Sequence, residues 1–450
     1  MVEEIACLQR GDLLPEMLGL TLQEGKELLA KVQETMVAHQ AAAYIEQQRP
    51  CPDCGQRRGS KGQHAIVWRS LFGKLQIDSL RLYTCSCQPQ KTHSFSPLAD
   101  LLSERTAPEL KYLQTKWASL VSYGLTVDLL EEVLPLQANS KTIRRQVHQV
   151  AETLEAELGD EQVSFVEGNF LIWDQLPDAT PPLTVGIDGG YVHAREGDNR
   201  KAGWFEVIVG KSMAETVATK RFAFVHQYDE KPKRRLYETL KTQGLQMHQP
   251  ITFLSDGGDM VRNLQTEISP HADHILDWFH VTMRITTMKQ MAQKFLTLPV
   301  LKDVETDLES VKWYLWHGNV FCARQRIQWI GMDLDVAEAD GVPDRAQFNR
   351  LCQAVREFER YLTTNEPFIP NYADRYQYGE PISTAFVEST VNEVISRRMV
   401  KQQQMRWTQR GAHLLLQVRT QALNEDLRNT FCRWYPGMAT TFAEEPPLAA

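Results

Sequence analysis

The chain has 450 residues, 42% of them hydrophobic and 24% charged, with a formal net charge of −8. That length exceeds one ordinary core and sets an expectation of roughly two to four domains. No apolar run approaches the roughly 20 residues that span a bilayer, and the negative balance opposes a general phosphate-binding surface while leaving room for local clusters of cations.

The opening MVEEIACLQRGDLL lacks the basic start and long apolar stretch of a secretory signal, so a cytosolic protein with no membrane partner is expected. Residues 1–48 form a first, helical segment. Thr21 and Glu24 read as a capping box, Leu22, Leu28, Leu29, Val32 and Met36 recur at near-helical spacing, and Pro50 closes the run.

Residues 49–98 change character. Cys51-Pro-Asp-Cys54-Gly opens the segment and Cys85-Ser-Cys87 nearly closes it. Between them IVWRSLFGKLQIDSLRLY alternates apolar and polar residues, predicting a hairpin that turns at Gly73-Lys74. Two close cysteine pairs around a hairpin are the pattern of a zinc ribbon, with Cys51, Cys54, Cys85 and Cys87 holding one structural Zn²⁺. In so small a segment the metal supplies much of the folding free energy. The second pair is tighter than usual, which keeps His93 as a substitute ligand; four unrelated buried cysteines are the plainer alternative.

Residues 99–160 predict a three-helix bundle. Leu110, Leu113, Trp117, Leu120 and Val121 mark the first helix and Leu129, Leu130, Val133 and Leu134 a short second one. Ser140 is the expected cap of a third, which carries Ile143, Val147, Val150, Leu154 and Leu158 on one face. With Lys141, Arg144 and Arg145 at its start, the arrangement reads either as a helix-turn-helix whose recognition helix meets DNA, or as a bundle with a solvated basic face.

After a linker ending in DATPP, residues 180–290 turn β-rich. PLTVGIDGG, GWFEVIVG and KRFAFVHQ read as successive strands, then LYETLKTQGL as a helix, ITFLSDGG as a buried strand, DMVRNLQTEI as a helix, and HILDWFHV continues the alternation. Three strands followed by helix, strand, helix and strand is the order of a ribonuclease-H-like core. Residues 291–372 carry only helical patterns and are expected to form an insertion before the core resumes over 373–435. The expected fold is therefore multidomain α+β: a zinc ribbon and a helix-turn-helix bundle ahead of a ribonuclease-H-like core interrupted by helices.

Asp188 follows the apolar LTVGI and Asp256 the apolar ITFLS, each with two glycines behind it, so both are expected at strand ends with open backbone around them. Asp-Gly after a strand is also ordinary turn chemistry. Paired carboxylates there suit Mg²⁺ or Mn²⁺, and two such ions support in-line displacement at phosphorus. Glu388, near the start of an amphipathic helix, is the third candidate, and Glu393 is expected on another face of that helix.

The succession TVGIDGG, FLSDGG, ILDWFH, AFVES and MRWTQRGA resembles bacterial insertion-sequence transposases of the ISKra group, relatives of the Mutator-like transposases, over most of the chain. The resemblance implies that Asp188, Asp256 and Glu388 are a catalytic DDE triad and that Asp277 and His280 belong to an auxiliary Asp-x-x-His motif. It also implies that the helical stretch is an insertion domain. The Cys85-x-Cys87 pair departs from the Cys-x2-Cys of relatives. His280 reads equally as a pocket residue touching the scissile phosphate or as a satisfied, half-buried histidine.

Downstream, Arg397, Arg398, Lys401, Arg406 and Arg410 surround Trp407 without an intervening acid, which suits phosphate neutralisation and base stacking. The expected partners are double-stranded DNA, as element ends and target, and at least a second copy of the chain, in a bacterial cytosol at the nucleoid. A domesticated DNA-binding protein and a nuclease without strand transfer are the alternatives.

Overall fold

A computed structural model describes residues 14–88, 93–161, 182–195, 203–215, 217–245, 249–269, 272–400 and 406–438. The chain is mixed α+β and divides into two compact units, Met1–Ala151 with Glu425–Ala450, and Glu152–Asn424. The linker expected before residue 182 and Lys401 lie outside the described residues. Among the described residues no helix is long and apolar enough to cross a membrane.

In the first unit, helix α1 (Leu22–Gln47) starts at Thr21, whose side chain and that of Glu24 satisfy each other's backbone amides. Strands β1 (Ser60–Ser70) and β2 (Gly73–Tyr83) form the expected hairpin, with β3 (Ser94–Phe95) on the far side of β2. The turn falls at Leu71-Phe72, with Ser70 paired to Gly73, two residues before the expected Gly73-Lys74. Gly73 has φ +127, a backbone conformation that suits glycine where the second strand leaves the turn. Ala41 and Ile45 of α1 pack on Ile66, Leu75 and Ile77, so one face of the hairpin is covered by the long helix.

After α2 (Pro97–Leu101) come α3 (Pro108–Leu120), α4 (Tyr123–Val133) and α5 (Ser140–Leu158), the three helices read from the sequence. The cap of α5 is Asn139, whose Oδ1 accepts from the Lys141 amide at 2.9 Å, and Ser140 is already helical. Ile143, Val147 and Val150 are fully buried, whereas Lys141, Arg144 and Arg145 are exposed on the opposite side of the same turns.

The second unit is built on a five-stranded sheet of β4 (Leu183–His193), β5 (Trp204–Met213), β6 (Lys220–Val225), β7 (Ile251–Ser255) and β8 (Asp273–Leu276). Their order is β6-β5-β4-β7-β8; β4, β5 and β6 pair antiparallel, and β7 and β8 run parallel to β4. Helices α6 (Pro232–Thr242) and α7 (Asp259–Ile268) cover one face, burying Leu236, Leu240, Val261 and Leu264 against Val185, Ile187 and Phe253.

Following α8 (Trp278–Ala292), helices α9 (Val304–Trp316), α10 (Val320–Asp340) and α11 (Arg345–Asn365) form the helical stretch read at 291–372. Their core runs continuously into Leu254 and Ile275 of the sheet. After the short α12 (Tyr372–Gln377), α13 (Ala385–Val391) returns to the sheet and passes into a π-helical stretch at Asn392–Val400. Helix α14 (Gln409–Leu423) ends the unit.

Candidate functional site

The register of the parallel strands brings the acids together. Gly186 on β4, Leu254 on β7 and Ile275 on β8 are partners in one row. Two residues beyond each stands an aspartate: Asp188, Asp256 and Asp277. Asp188 lies inside β4, where the sequence pattern placed a strand end. The low β-propensity of Asp-Gly-Gly suggested a break, but antiparallel pairing with β5 carries the strand on to His193. Pairing with β7 does stop at Gly186, so the Asp188 carboxylate is clear of that neighbour.

Glycine spacing then admits the helix that carries Glu388. A Cβ on Gly186 would lie 2.1 Å from Val387 and 2.7 Å from Phe386, and one on Gly190 would lie 2.7 Å from Ile395. Side chains alternate along a strand, so Gly186, Asp188 and Gly190 share one face. Helix α13 and the π-helical stretch therefore lie across that face, close against the backbone on both sides of Asp188. Glu388 is exposed on α13. Glu393 is taken by Arg221, whose Nε lies 3.0 Å from its Oε2.

The Asp277 carboxylate is fully buried and ties the pieces to one another. Its Oδ1 accepts from the Phe279 amide at 2.9 Å and the Thr384 amide at 3.1 Å, and its Oδ2 accepts from the Thr384 hydroxyl. Thr384 is the residue from which α13 starts. Asp277 also meets His280 Nδ1 at 2.7 Å, so the ring directs Nε2 away from it. Burial alone would raise the Asp277 carboxyl; the His280 ring, Thr384 and the Phe279 amide outweigh it and hold it below the usual range.

His280 is raised, chiefly by its bond to Asp277 and against burial, and the charges of Asp188 and Asp256 add to the rise. Burial pushes the Asp188 carboxyl up, and the charges of Asp256 and Asp277 reinforce it. The Gly189 amide, donating to Asp188 Oδ1 at 2.7 Å, and His280 pull the other way. Asp256 is fixed through its backbone, where its carbonyl accepts from Tyr361 Oη of α11 at 3.0 Å. Asp188, Asp256 and Glu388 do not close into a ligand set with every atom within 4.8 Å of the others.

In the first unit the four predicted thiols do form such a set. Cys51 and Cys87 Sγ are 3.5 Å apart, Cys54 and Cys85 3.4 Å, and Cys54 and Cys87 3.5 Å. Sulfurs bound tetrahedrally to Zn²⁺ at about 2.3 Å stand about 3.8 Å apart, so the spacing fits one such ion. Burial works to raise Cys51, but the amides of Asp53 and Cys54 outweigh it and bring the thiol down to about 6. Cys87 is pushed up by hydrogen bonding to Cys85, Cys54 and Cys51. Four thiols this close cannot all ionise without a cation among them. His93 is not in the set.

The basic segment divides. Arg397, Arg406 and Arg410 are exposed, and Arg410 is paired with Glu152. Arg398 and Trp407 are buried, with the guanidinium 5.3 Å from the indole centroid. Trp407 is held by a bridge beside β4, donating its amide to His193 O at 2.9 Å and accepting at its carbonyl from the Arg195 amide at 2.9 Å. These two build the fold around the site and present no surface to a base.

One cluster escaped the sequence reading. Glu155, Asp229 and His413 form a second ligand-like set, and Arg235 lies among them. Its Nε is 2.9 Å from Asp229 Oδ2, its Nη1 3.0 Å from Glu155 Oε1, and Gln417 accepts from Nη1 at 2.5 Å. The guanidinium already supplies the positive charge that a metal would bring. No local pattern signals the group, whose members come from α5, the β6–α6 loop, α6 and α14. No protein-family model and no curated protein matches the chain.

Proposed function

We propose that the chain is a DDE-type DNA transposase. Its catalytic domain is a ribonuclease-H-like core, and its N-terminal unit binds the ends of the element through a zinc ribbon and a helix-turn-helix. The observation that carries this reading is the acid row: Asp188 in β4 and Asp256 just past the end of the adjacent parallel strand β7, in a sheet ordered β6-β5-β4-β7-β8, with the Glu388 helix laid across the face of Asp188. Carboxylates side by side on neighbouring parallel strands suit metal-assisted phosphodiester chemistry.

The donor set fits Mg²⁺ or Mn²⁺. All three ligands are hard oxygens, and the raised Asp188 carboxyl marks a group of acids short of positive charge. Asp188, Asp256 and Glu388 would hold two such ions, which supply the Lewis acidity for in-line attack on phosphorus and for the leaving oxygen. The chain's own residues do the positioning. Asp277 fixes the tautomer of His280 and anchors the start of α13, so the histidine and Glu388 are set relative to one buried carboxylate. His280 Nε2, on a ring raised in pKa and about a third exposed, donates to a phosphate oxygen at the mouth of the site. Water attacks first and frees a 3′-hydroxyl, which then attacks target DNA; both steps use one constellation of acids.

An oligonucleotide carrying the element's terminal repeat is cut and joined to target DNA by the intact chain with Mg²⁺, in a complex of at least two copies. Chelation with EDTA abolishes both steps, as do Asp188→Asn and Asp256→Asn. Cleavage that persists in either variant overturns the assignment, and cleavage without joining restricts the protein to a nuclease.

A further inference from the structure

Helix α10 buries one face and leaves the opposite one apolar. Ala323, Ile327, Ile330 and Leu334 are buried in the helical core of the second unit. On the other side Phe321, Gln325, Trp329, Met332 and Val336 recur in steps of four, four, three and four, the spacing of a single helical face. All five are exposed, Phe321 by 72% and Met332 by 62%. The neighbouring helices bond to α10 along its flanks: Arg326 pairs with Asp307 of α9 at 3.1 Å, and Asp335 with Arg356 of α11 at 3.0 Å. The Trp329 ring is held from below, with the Arg326 guanidinium 4.8 Å from its centroid. Exposed Phe, Trp and Met in one stripe, with an arginine-backed indole at its middle, have the composition of a protein interface core.

Charge decides what meets that stripe. Arg324 and Arg326 stand in the N-terminal half of α10, and Asp333, Asp335, Glu338 and Asp340 in the C-terminal half. Acids at the end of a helix oppose its macrodipole, so this order gives the isolated helix nothing. It also gives little hold to phosphate, because both arginines are already paired, Arg324 with Glu366 at 2.6 Å and Arg326 with Asp307. A second α10 running antiparallel is complementary from end to end, its arginines and N-terminal amides lying beside these acids. The stripe has the same symmetry. Trp329 is at its middle, with Gln325 and Met332 on either side and Phe321 and Val336 at the two ends.

We propose that this face binds the same face of a second copy of the chain, α10 against α10, antiparallel across a two-fold axis near Trp329. Such a contact is isologous: Phe321 packs on the partner's Val336, Gln325 meets the partner's Met332, and Arg324 lies alongside the partner's Asp335. The inference goes beyond the proposed function, since it names the surface that joins two copies and draws on none of the catalytic acids.

Sedimentation of the full chain at micromolar concentration, without DNA, tests it. The unaltered protein is expected to be a dimer. Met332→Glu, which enters the contact twice, weakens it at least about a hundredfold, and circular dichroism shows the variant still folded, because the position is exposed. Arg324→Asp and Asp335→Arg each set like charges across the axis and weaken the dimer about tenfold. An equimolar mixture of these two variants sets opposite charges together and regains it. A monomeric unaltered chain overturns the proposal. So does a dimer that Met332→Glu leaves intact, or a mixture that associates no more tightly than either variant alone. A monomer that still cuts and joins terminal-repeat DNA removes this interface and leaves the transposase reading standing. A dimer with the expected responses, in a chain that cuts no DNA, does the reverse.

Discussion

The second unit contains two groups of carboxylates with a histidine, and they are neutralised in opposite ways. Around Glu155 and Asp229 the protein supplies its own cation, since Arg235 is buried and pairs with both acids at about 3 Å. Around Asp188, Asp256 and Asp277 the cation at hand is His280, held on Asp277. The shifts follow. Glu155 is held down to about 2, with His413 and Arg235 outweighing its burial, whereas Asp188 is pushed up by burial and by its acidic neighbours. A cluster that carries its own counter-charge is a fold element. On the proposed function, the under-neutralised acids around Asp188 await a cation from solution.

The largest effect should separate the two by kind of loss. Asp188→Asn is expected to lower strand cleavage by at least about a thousandfold, about 4 kcal/mol of transition-state stabilisation. It should leave thermal stability unchanged or slightly higher, because it removes a buried like-charge repulsion. Arg235→Met should do the converse, destabilising the unit by roughly 3–5 kcal/mol through two carboxylates left buried and unpaired. Denaturant melts beside a cleavage assay read both. If Arg235→Met melts like the unaltered protein, the fold-element reading of its cluster is wrong.

A divalent cation sharpens the contrast further. Saturating Mg²⁺ should raise stability by roughly 1–3 kcal/mol through binding to the folded state alone. Asp188→Asn should abolish that gain and Glu155→Gln should keep it. A gain lost in Glu155→Gln instead would move the ion to the other cluster.

Acid titration gives a third, smaller signal. The folded Glu155 carboxyl lies near 2, below the value of about 4.3 for a free glutamate. Its contribution is therefore complete above about pH 4.5 and is lost progressively as pH falls from there toward 2. Glu155→Gln should be less stable than the unaltered protein at neutral pH, with the gap closing through that window. Melting temperatures of the pair measured between pH 6 and pH 3 provide the check, and a constant gap would remove Glu155 from the ionic network.

These two clusters were not equally legible in the sequence. Buried strands are apolar runs, so β4 and β7 could be located, and the acids that follow LTVGI and ITFLS stood out. The alignment of Asp277 with them depends on parallel register, which one strand's sequence does not encode. The same limit misplaced Asp188 at a strand end, because its pairing partner β5 decides where β4 stops. Arg235, its acids and His413 come from four separate elements, and only packing assembles them. Capping was readable where the bond is local, as at Thr21 and Glu24. It failed at α5, where two adjacent cap-competent residues, Asn139 and Ser140, differ only in which one leaves the helix.

The smallest effects concern the basic segment, where sequence could not tell an interior cation from a surface one. Five positive residues around Trp407 read as one DNA-facing stripe, but Arg398 and Trp407 are buried against each other while Arg397 and Arg406 are exposed. Substituting Arg397 or Arg406 by alanine should therefore weaken DNA binding about equally for every sequence and lower the salt dependence of log K by about one ion each, the signature of a lost phosphate contact. Arg398→Ala should leave that slope unchanged and lower the melting temperature, because it removes a buried cation packed on an indole. Affinities measured across a range of salt concentrations distinguish the two classes. A salt slope altered by Arg398→Ala in a protein that still melts normally would show that the segment opens to meet DNA, and that the buried pair is a resting arrangement of the binding surface.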